Sequence, residues 1–191
     1  MEKIVLASAS PRRRELLAQI GIVSPIVAPA DADESVFDKL PPEEMVVSLA
    51  ALKAETAAKD FSEEHIVIGS DTVVVADGVV CGKPKNRAEA EAMISSLSGR
   101  SHKVLTGLCV VRGKEKRTAL GSAEVWFRPL DENEIRGYCE TGEPYDKAGA
   151  YGIQGLAAAF VEKIDGDYYS IVGLPLCALT RILSEMGVSL F

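Results

Sequence analysis

Lys3-Ile4-Val5-Leu6-Ala7-Ser8-Ala9-Ser10-Pro11-Arg12-Arg13-Arg14-Glu15-Leu16-Leu17 reads as a short buried strand, a tight turn and the first turns of a helix over 12–20. Ser10 suits the N-cap and Pro11 the first helical position, where a missing amide and a fixed φ cost nothing. Leu16, Leu17 and Ile20 make the apolar stripe, and Gly21 stops it. The three arginines then fall where the helix dipole is positive and acidic side chains are favoured. Either they are solvated, with Arg12 and Arg14 pairing to Glu15 or other carboxylates, or they receive an anion together with the free backbone amides. Strand–turn–helix is the setting in which phosphate sites recur.

The bulk numbers bound the answer. A chain of 191 residues, 47% hydrophobic and 26% charged, suits one α/β domain or two closely joined lobes with a full core. No apolar run approaches the ~18 to 20 residues that span a bilayer, so no membrane association is expected. The first residues enter a strand without the basic region and long apolar run of a secretory signal, which makes the cytoplasm the expected location. A net charge of −7 argues against a nucleic-acid groove, so a cationic patch in this chain suits a small anionic ligand. Cys81, Cys109, Cys139 and Cys177 form no C-x-x-C pair and the only histidines are His65 and His102, so no zinc site is expected and the thiols read as buried and reduced.

Further along, 22–30 is strand-like and runs into Asp31-Ala32-Asp33-Glu34-Ser35, a loop whose carboxylates can hold a divalent cation or stand as solvated charges. Pro41-Pro42-Glu43-Glu44 opens a helix to about Ala58, with Val46, Leu49, Ala50 and Ala57 on one face. Lys53 shares that face, so it either snorkels outward or directs its ammonium into a negatively charged site. Ile66–Ala76 is the strongest strand, nearly unbroken and apolar, and Asp77-Gly78 turns it back into Val79-Val80. Asp71 stands in its middle. A carboxylate there is costly unless paired, protonated or metal-bound, the alternative being a capping role at a bulge beside Gly69.

Gly82-Lys83-Pro84 is not a Walker motif, because Pro84 replaces the Ser or Thr and no glycine stands five residues before Gly82. Lys83 can bind phosphate as a point charge or stand solvated. Asn86 and Glu89 open a helix to about Leu97; 102–111 and 117–128 form an antiparallel ribbon; Asp131 and Glu134 make a capping box for a helix to about Thr141. Asp146-Lys147-Ala148-Gly149-Ala150-Tyr151-Gly152-Ile153-Gln154-Gly155 suits neither helix nor strand; its glycines point to a tight turn or the approach of a ligand, for which Gln154 offers both a donor and an acceptor. Strands over 158–164 and 168–172 and a helix from Pro175 to Glu185 complete the chain. Four cations, metal-type carboxylates and a glutamine able to read a base together describe a nucleoside polyphosphate site, with no Ser–His–Asp or Cys–His system beside it.

Five segments also resemble, in order, the motifs of the Maf family of nucleotide pyrophosphatases: 6–17, Gly69-Ser70-Asp71-Thr72-Val73-Val74, Gly82-Lys83-Pro84, Leu97-Ser98-Gly99-Arg100-Ser101-His102 and 146–155. The resemblance implies one domain over 1–191 with two lobes around a central cleft, and an elongated mixed α/β sheet flanked by helices, like that of inosine triphosphate pyrophosphatases. It implies hydrolysis of a nucleoside triphosphate to the monophosphate and pyrophosphate with magnesium or manganese, and a homodimer. The ending Tyr151-Gly152-Ile153-Gln154-Gly155 is similar to the dTTP and UTP branch, rather than to the 7-methyl-GTP branch. By that resemblance Asp71 is the proton acceptor for water, Arg13, Lys53 and Lys83 hold the triphosphate, Arg12, Thr72 and Gln154 sit where the family determines base choice, and Ser8 completes substrate binding. Glu34 and Asp71 take the metal, with Asp31 or Asp33 able to substitute for Glu34. A carboxylate that holds metal makes a poor base, so orienting water is the alternative role for Asp71. The family's association with septum formation and division arrest leaves a nucleotide-sensing regulator as the rival reading.

Overall fold

The computed structural model describes residues 3–190, the side chain of Glu34 excepted. Its elements are β1 (Ile4–Leu6), α1 (Pro11–Gln19), β2 (Ile26–Val27), α2 (Pro42–Ala58), β3 (Ile66–Ala76), β4 (Val79–Cys81), α3 (Arg87–Leu97), β5 (Ser101–Arg112), β6 (Glu115–Phe127), α4 (Glu132–Glu140), β7 (Val161–Gly166), α5 (Tyr168–Val172) and α6 (Leu176–Glu185). Short 3-10 turns stand at Glu34–Phe37, Glu143–Asp146, Ala148–Ala150 and Leu156–Phe160. The strands follow the order β2-β1-β3-β5-β6-β7, with β4 pairing off β3, and the pairings are mixed. β1 is parallel to β2 and to β3, whereas β4 is antiparallel to β3 and β7 to β6. The described chain divides into two compact units, and β3, β5 and β6 contribute to both.

The first unit comprises Met1–Asp71, Thr106–Gly121 and Gly173–Phe191. Its core on one sheet face joins Val5, Ala7, Val67, Cys109 and Val111 to Ala50, Ala54 and Ala57 of α2. Small residues there let the helix come close. A Cβ on Gly69 would overlap the Ala50 carbonyl and lie 2.7 Å from Ala54 N, and one on Gly107 would overlap the Val46 carbonyl. Gly69 thus serves the passage of α2 over β3.

The second unit comprises Thr72–Leu105 and Ser122–Val172. Its core gathers Val74, Ile94, Leu97, Val104, Val125, Phe127, Tyr138 and Phe160. Asp77 and Gly78 both have positive φ, 50° and 78°, which suits the two-residue hairpin between β3 and β4. Asn86 caps α3 by accepting from the Glu89 amide, and Asp131 with Glu134 forms the expected capping box on α4.

Four local expectations are corrected. Strand β2 is only two residues long, because Pro25 and Pro29 bracket it and the Ile22 amide is already bonded to Leu17 O at 2.9 Å. Residues 168–172 are helical, not extended: Asp167 accepts from the Tyr169 amide and the Ser170 hydroxyl and so starts α5. Residues 156–160 form a 3-10 turn, so the preceding strand begins only at Val161. Ser10 holds the N-cap position without a side-chain cap; its own amide donates to Ser8 Oγ at 3.2 Å.

Candidate functional site

In the first unit the central feature is a pair. On β3, Val67, Gly69 and Asp71 point to one face by the period of two, the face that α2 covers. On α2, Val46, Ala50, Ala54 and Ala57 form the inward stripe, and Lys53 stands beside it. The helix passes so close at Gly69 that the lysine stem reaches the strand, and Lys53 Nζ donates to Asp71 Oδ1 at 2.5 Å with the two side chains 14% and 15% exposed. Of the two roles open to Lys53, the ammonium directed inward is the one the structure adopts. The costly carboxylate in the strand is paired, as burial demands.

Around that pair lies a network that the residue pattern did not reveal. Arg13 donates through Nε to Gly173 O at 2.8 Å and through Nη1 to Ser8 Oγ at 3.0 Å. Ser70, fully buried on the opposite face of β3 from Asp71, lies 2.9 Å from both Gly107 O and Gly173 O. Gly173 O therefore gathers the helix-start arginine and the strand that carries Asp71. The polar Ser70 amid apolar neighbours was the available signal, but its partners come from distant chain segments. Arg12 is half-buried and Arg14 exposed.

The acidic loop divides. Asp33 accepts from the Ser35 hydroxyl at 2.6 Å and the Ser35 amide at 3.1 Å, which holds its carboxyl below the usual range and uses it as the cap of the turn Glu34–Phe37. Asp31 is exposed. The Glu34 side chain lies outside the described part. No group of three or more His, Cys, Asp or Glu able to hold a metal occurs among the described residues.

In the second unit Thr72 follows Asp71 along β3 and is half-buried, and Lys83 is exposed on the turn after β4. That turn is tied to the glycine-rich segment, since the Gly149 amide donates to Gly82 O at 3.1 Å. Gly149, at φ 69°, lies flat on Val74, which a Cβ would meet at 2.8 Å. Gln154 is exposed on a turn closed by Gly155 N and Gly152 O at 3.0 Å. Upstream of it Tyr151 is buried, its hydroxyl 2.8 Å from His102 Nε2, and both rings stack edge-on with Phe127. Burial lowers His102 to about 4, so its imidazole is neutral at pH 7, and Nδ1 has no partner among the described residues.

The expectation of buried thiols holds at two of the four cysteines. Cys109 and Cys139 are buried and Cys81 half-buried, but Cys177 lies exposed on α6. Burial, with the Glu55 charge adding to it, pushes the Cys109 thiol up to about 12.

A mixed sheet flanked by helices, with arginines at a helix start and an aspartate on the buried strand β3 paired to a lysine of α2, defines an α/β protein. The family model described as "Maf-like protein" matches residues 3–186, and the chain belongs to the Maf family. A dTTP/UTP pyrophosphatase of Symbiobacterium thermophilum is 50% identical over 191 residues, covering 100% of this chain and 97% of that protein. Those of Moorella thermoacetica and Bacillus pumilus are 49% and 47% identical, each across 100% of this chain and 98% and 100% of theirs. Among solved structures, a HAM1 protein from Coxiella burnetii shares the fold at a TM-score of 0.50 and 18% identity, covering 97% of this chain and 100% of its own.

Proposed function

We propose that this chain is a nucleoside triphosphate pyrophosphatase that hydrolyses dTTP and UTP to the monophosphate and pyrophosphate. The observation that carries the reading is the Lys53–Asp71 pair, a carboxylate held in fixed orientation on the strand whose sequence 69–74 resembles a motif of the family. The full-length likeness to proteins named dTTP/UTP pyrophosphatases supports the choice of substrate. Asp71 orients the water whose oxygen attacks the α-phosphorus, the water's proton passing to solvent; the bond to the bridging oxygen breaks, and pyrophosphate leaves. Lys53 holds the carboxylate, and Arg12, Arg13 and Lys83 neutralise the triphosphate, with Ser8 fixing the Arg13 fork. Thr72 and Gln154 read the base: the carboxamide pairs with the O4 acceptor and N3–H donor of uracil or thymine, and the thymine methyl needs only space.

A magnesium or manganese ion fits this set as a guest of the substrate. The described residues offer no carboxylate cage, but a magnesium-type ion needs only one or two protein carboxylates beside phosphate oxygens and water. Asp71 would supply one and Glu34, by the resemblance to the family's motif, the second; Asp33 is engaged by Ser35. When bound, the ion would neutralise phosphate charge as pyrophosphate departs. We also read the protein as a cytoplasmic homodimer that binds no nucleic acid and that hydrolyses modified pyrimidine triphosphates beside dTTP and UTP. No helix among the described residues is long and apolar enough to cross a membrane.

The test is pyrophosphate release from a panel of triphosphates, with and without magnesium or manganese, for the native chain and Asp71→Asn. Metal-dependent release from dTTP and UTP that falls by about 10²- to 10⁴-fold in the variant is expected. Absence of release from every triphosphate would refute the enzyme reading in favour of a nucleotide sensor.

A further inference from the structure

The turn that presents Gln154 is built on a carboxylate. Gly152-Ile153-Gln154-Gly155 closes on itself, and directly behind it the turn Leu156–Phe160 begins. The first two amides of that turn are taken by one side chain: Leu156 N donates to Glu143 Oε2 at 2.9 Å and Ala157 N to Glu143 Oε1 at 3.4 Å. The Tyr138 hydroxyl donates to Oε1 at 3.0 Å from α4. Burial, with the Glu143 charge second, raises the Tyr138 hydroxyl above its ordinary range, so it remains a donor. Lys147 Nζ donates to Glu143 O at 2.8 Å and to Asp146 Oδ1 at 2.6 Å, drawing the near side of the segment onto the same residue.

The glycines that flank Ile153 and Gln154 rest on this support. A Cβ on Gly155 would overlap the Glu143 carboxylate, and one on Gly152 would lie 2.6 Å from Lys147 Cε and 3.4 Å from Glu143 Oε1. Their absence of side chains lets the turn lie directly on Glu143 and Lys147. Upstream, Tyr151 is already fixed by His102 and Phe127. The direction in which Gln154 points is then decided on the downstream side, where the backbone leaves the turn onto Glu143.

We propose that Glu143 is a positioning residue for base selection, fixing the turn that aims Gln154 and so setting the preference for uracil and thymine over other bases. The proposal rests on the reading of Gln154 as the base-reading side chain. Glu143 itself touches no substrate; it acts through the backbone of residues 155–157.

The experiment compares kcat and KM for UTP, dTTP, CTP and GTP in the native enzyme, Glu143→Ala, Glu143→Gln, Gln154→Ala and the Glu143/Gln154 double alanine variant. For Glu143→Ala the ratio of kcat/KM for UTP over that for CTP is expected to fall by about tenfold or more, chiefly through KM for UTP, with CTP turnover within about threefold of native. Glu143→Gln keeps one acceptor oxygen and the volume, so it should fall between native and alanine, and it carries the test if the alanine variant fails to fold. Gln154→Ala should lower the same ratio, and the double variant should lose little more, because both act on one contact. A purely structural role would lower all four substrates by a common factor, and that result overturns the proposal. It is equally overturned if Gln154→Ala collapses the ratio while neither Glu143 variant moves it. If Gln154→Ala leaves the ratio at its native value, the base-reading assignment is what fails, and the action of Glu143 through it falls with it.

Discussion

Replacing Gly69 by alanine tests how α2 is brought to β3. The added Cβ would overlap the Ala50 carbonyl and stand 2.7 Å from Ala54 N and 2.9 Å from Ala54 Cβ, where ordinary contact begins at 3.4 Å. The obstructing atoms are mostly helix backbone, so no side chain can rotate aside. The helix must recoil by at least about 0.7 Å to free the Ala54 amide, and by more for the Ala50 carbonyl, at the ~1 to 3 kcal/mol typical of overpacking. For a chain of this size each kcal/mol lowers the melting temperature by roughly 2 to 4 °C, so a fall of about 2 to 12 °C is expected. Activity should suffer less. Lys53 lies in the same helical turn, but its four-carbon stem can follow a shift of that size back to Asp71, and the loss in kcat should stay below about tenfold, or ~1.4 kcal/mol. The assay is thermal unfolding by circular dichroism alongside pyrophosphate release, with Gly137→Ala as the control. Gly137 stands in α4 with nothing within 4 Å of its Cβ position, so alanine there should raise stability by up to ~1 kcal/mol. A Gly69→Ala protein that melts at or above the native temperature would refute the close-approach account.

Two further measurements probe the buried groups. His102 is held near 4 in the folded protein against 6.5 for the free side chain, so the unfolded chain binds more protons between those values. Its contribution is complete above pH 6.5 and is lost as pH falls towards 4, by roughly 3 kcal/mol in all; His102→Gln, which keeps a polar partner for Tyr151, should flatten the slope of stability against pH in that window, and an unchanged slope would show that His102 does not drive it. Thiol labelling of the native protein with a disulfide reagent should modify exposed Cys177 first and half-buried Cys81 more slowly, leaving Cys109 and Cys139 until denaturant is added; early labelling of Cys109 would contradict its burial.

Local rules found most of the elements because the signals were local. The span Ile66–Ala76 is an apolar run ended by an Asp-Gly turn, and Asn86 and Asp131 with their glutamates mark helix starts, so these features stand where pattern places them. The failures lie where a competing local effect is weaker on the page than in space. The apolar look of 22–30 hid the two prolines that bracket a two-residue strand, and the aromatic run at Tyr168-Tyr169 hid the Asp167 cap that makes it helical.

The candidate site shows the same division at higher order. Asp71 was legible because a carboxyl group in a core strand violates a strong rule, and Lys53 because it occupies an inward helical position; two such violations on facing elements satisfy one another at 2.5 Å. Gly173 and Glu143 break no rule visible in one dimension, and Ser70 shows there only as a polar residue in a core strand, without its partners. Gly173 O acquires its role only when the chain returns beside β3, and Glu143 only when the residues thirteen and fourteen positions later fold back on it. The glycines at 152 and 155 carried the trace of that return, since backbone freedom alone would not demand glycine at both positions, whereas Lys147 and Glu143 beneath them do. A pair of glycines flanking a polar side chain in an otherwise ordered segment is thus a record of what lies under the turn as much as of what approaches it from above, and here what lies under it is the carboxylate that aims Gln154.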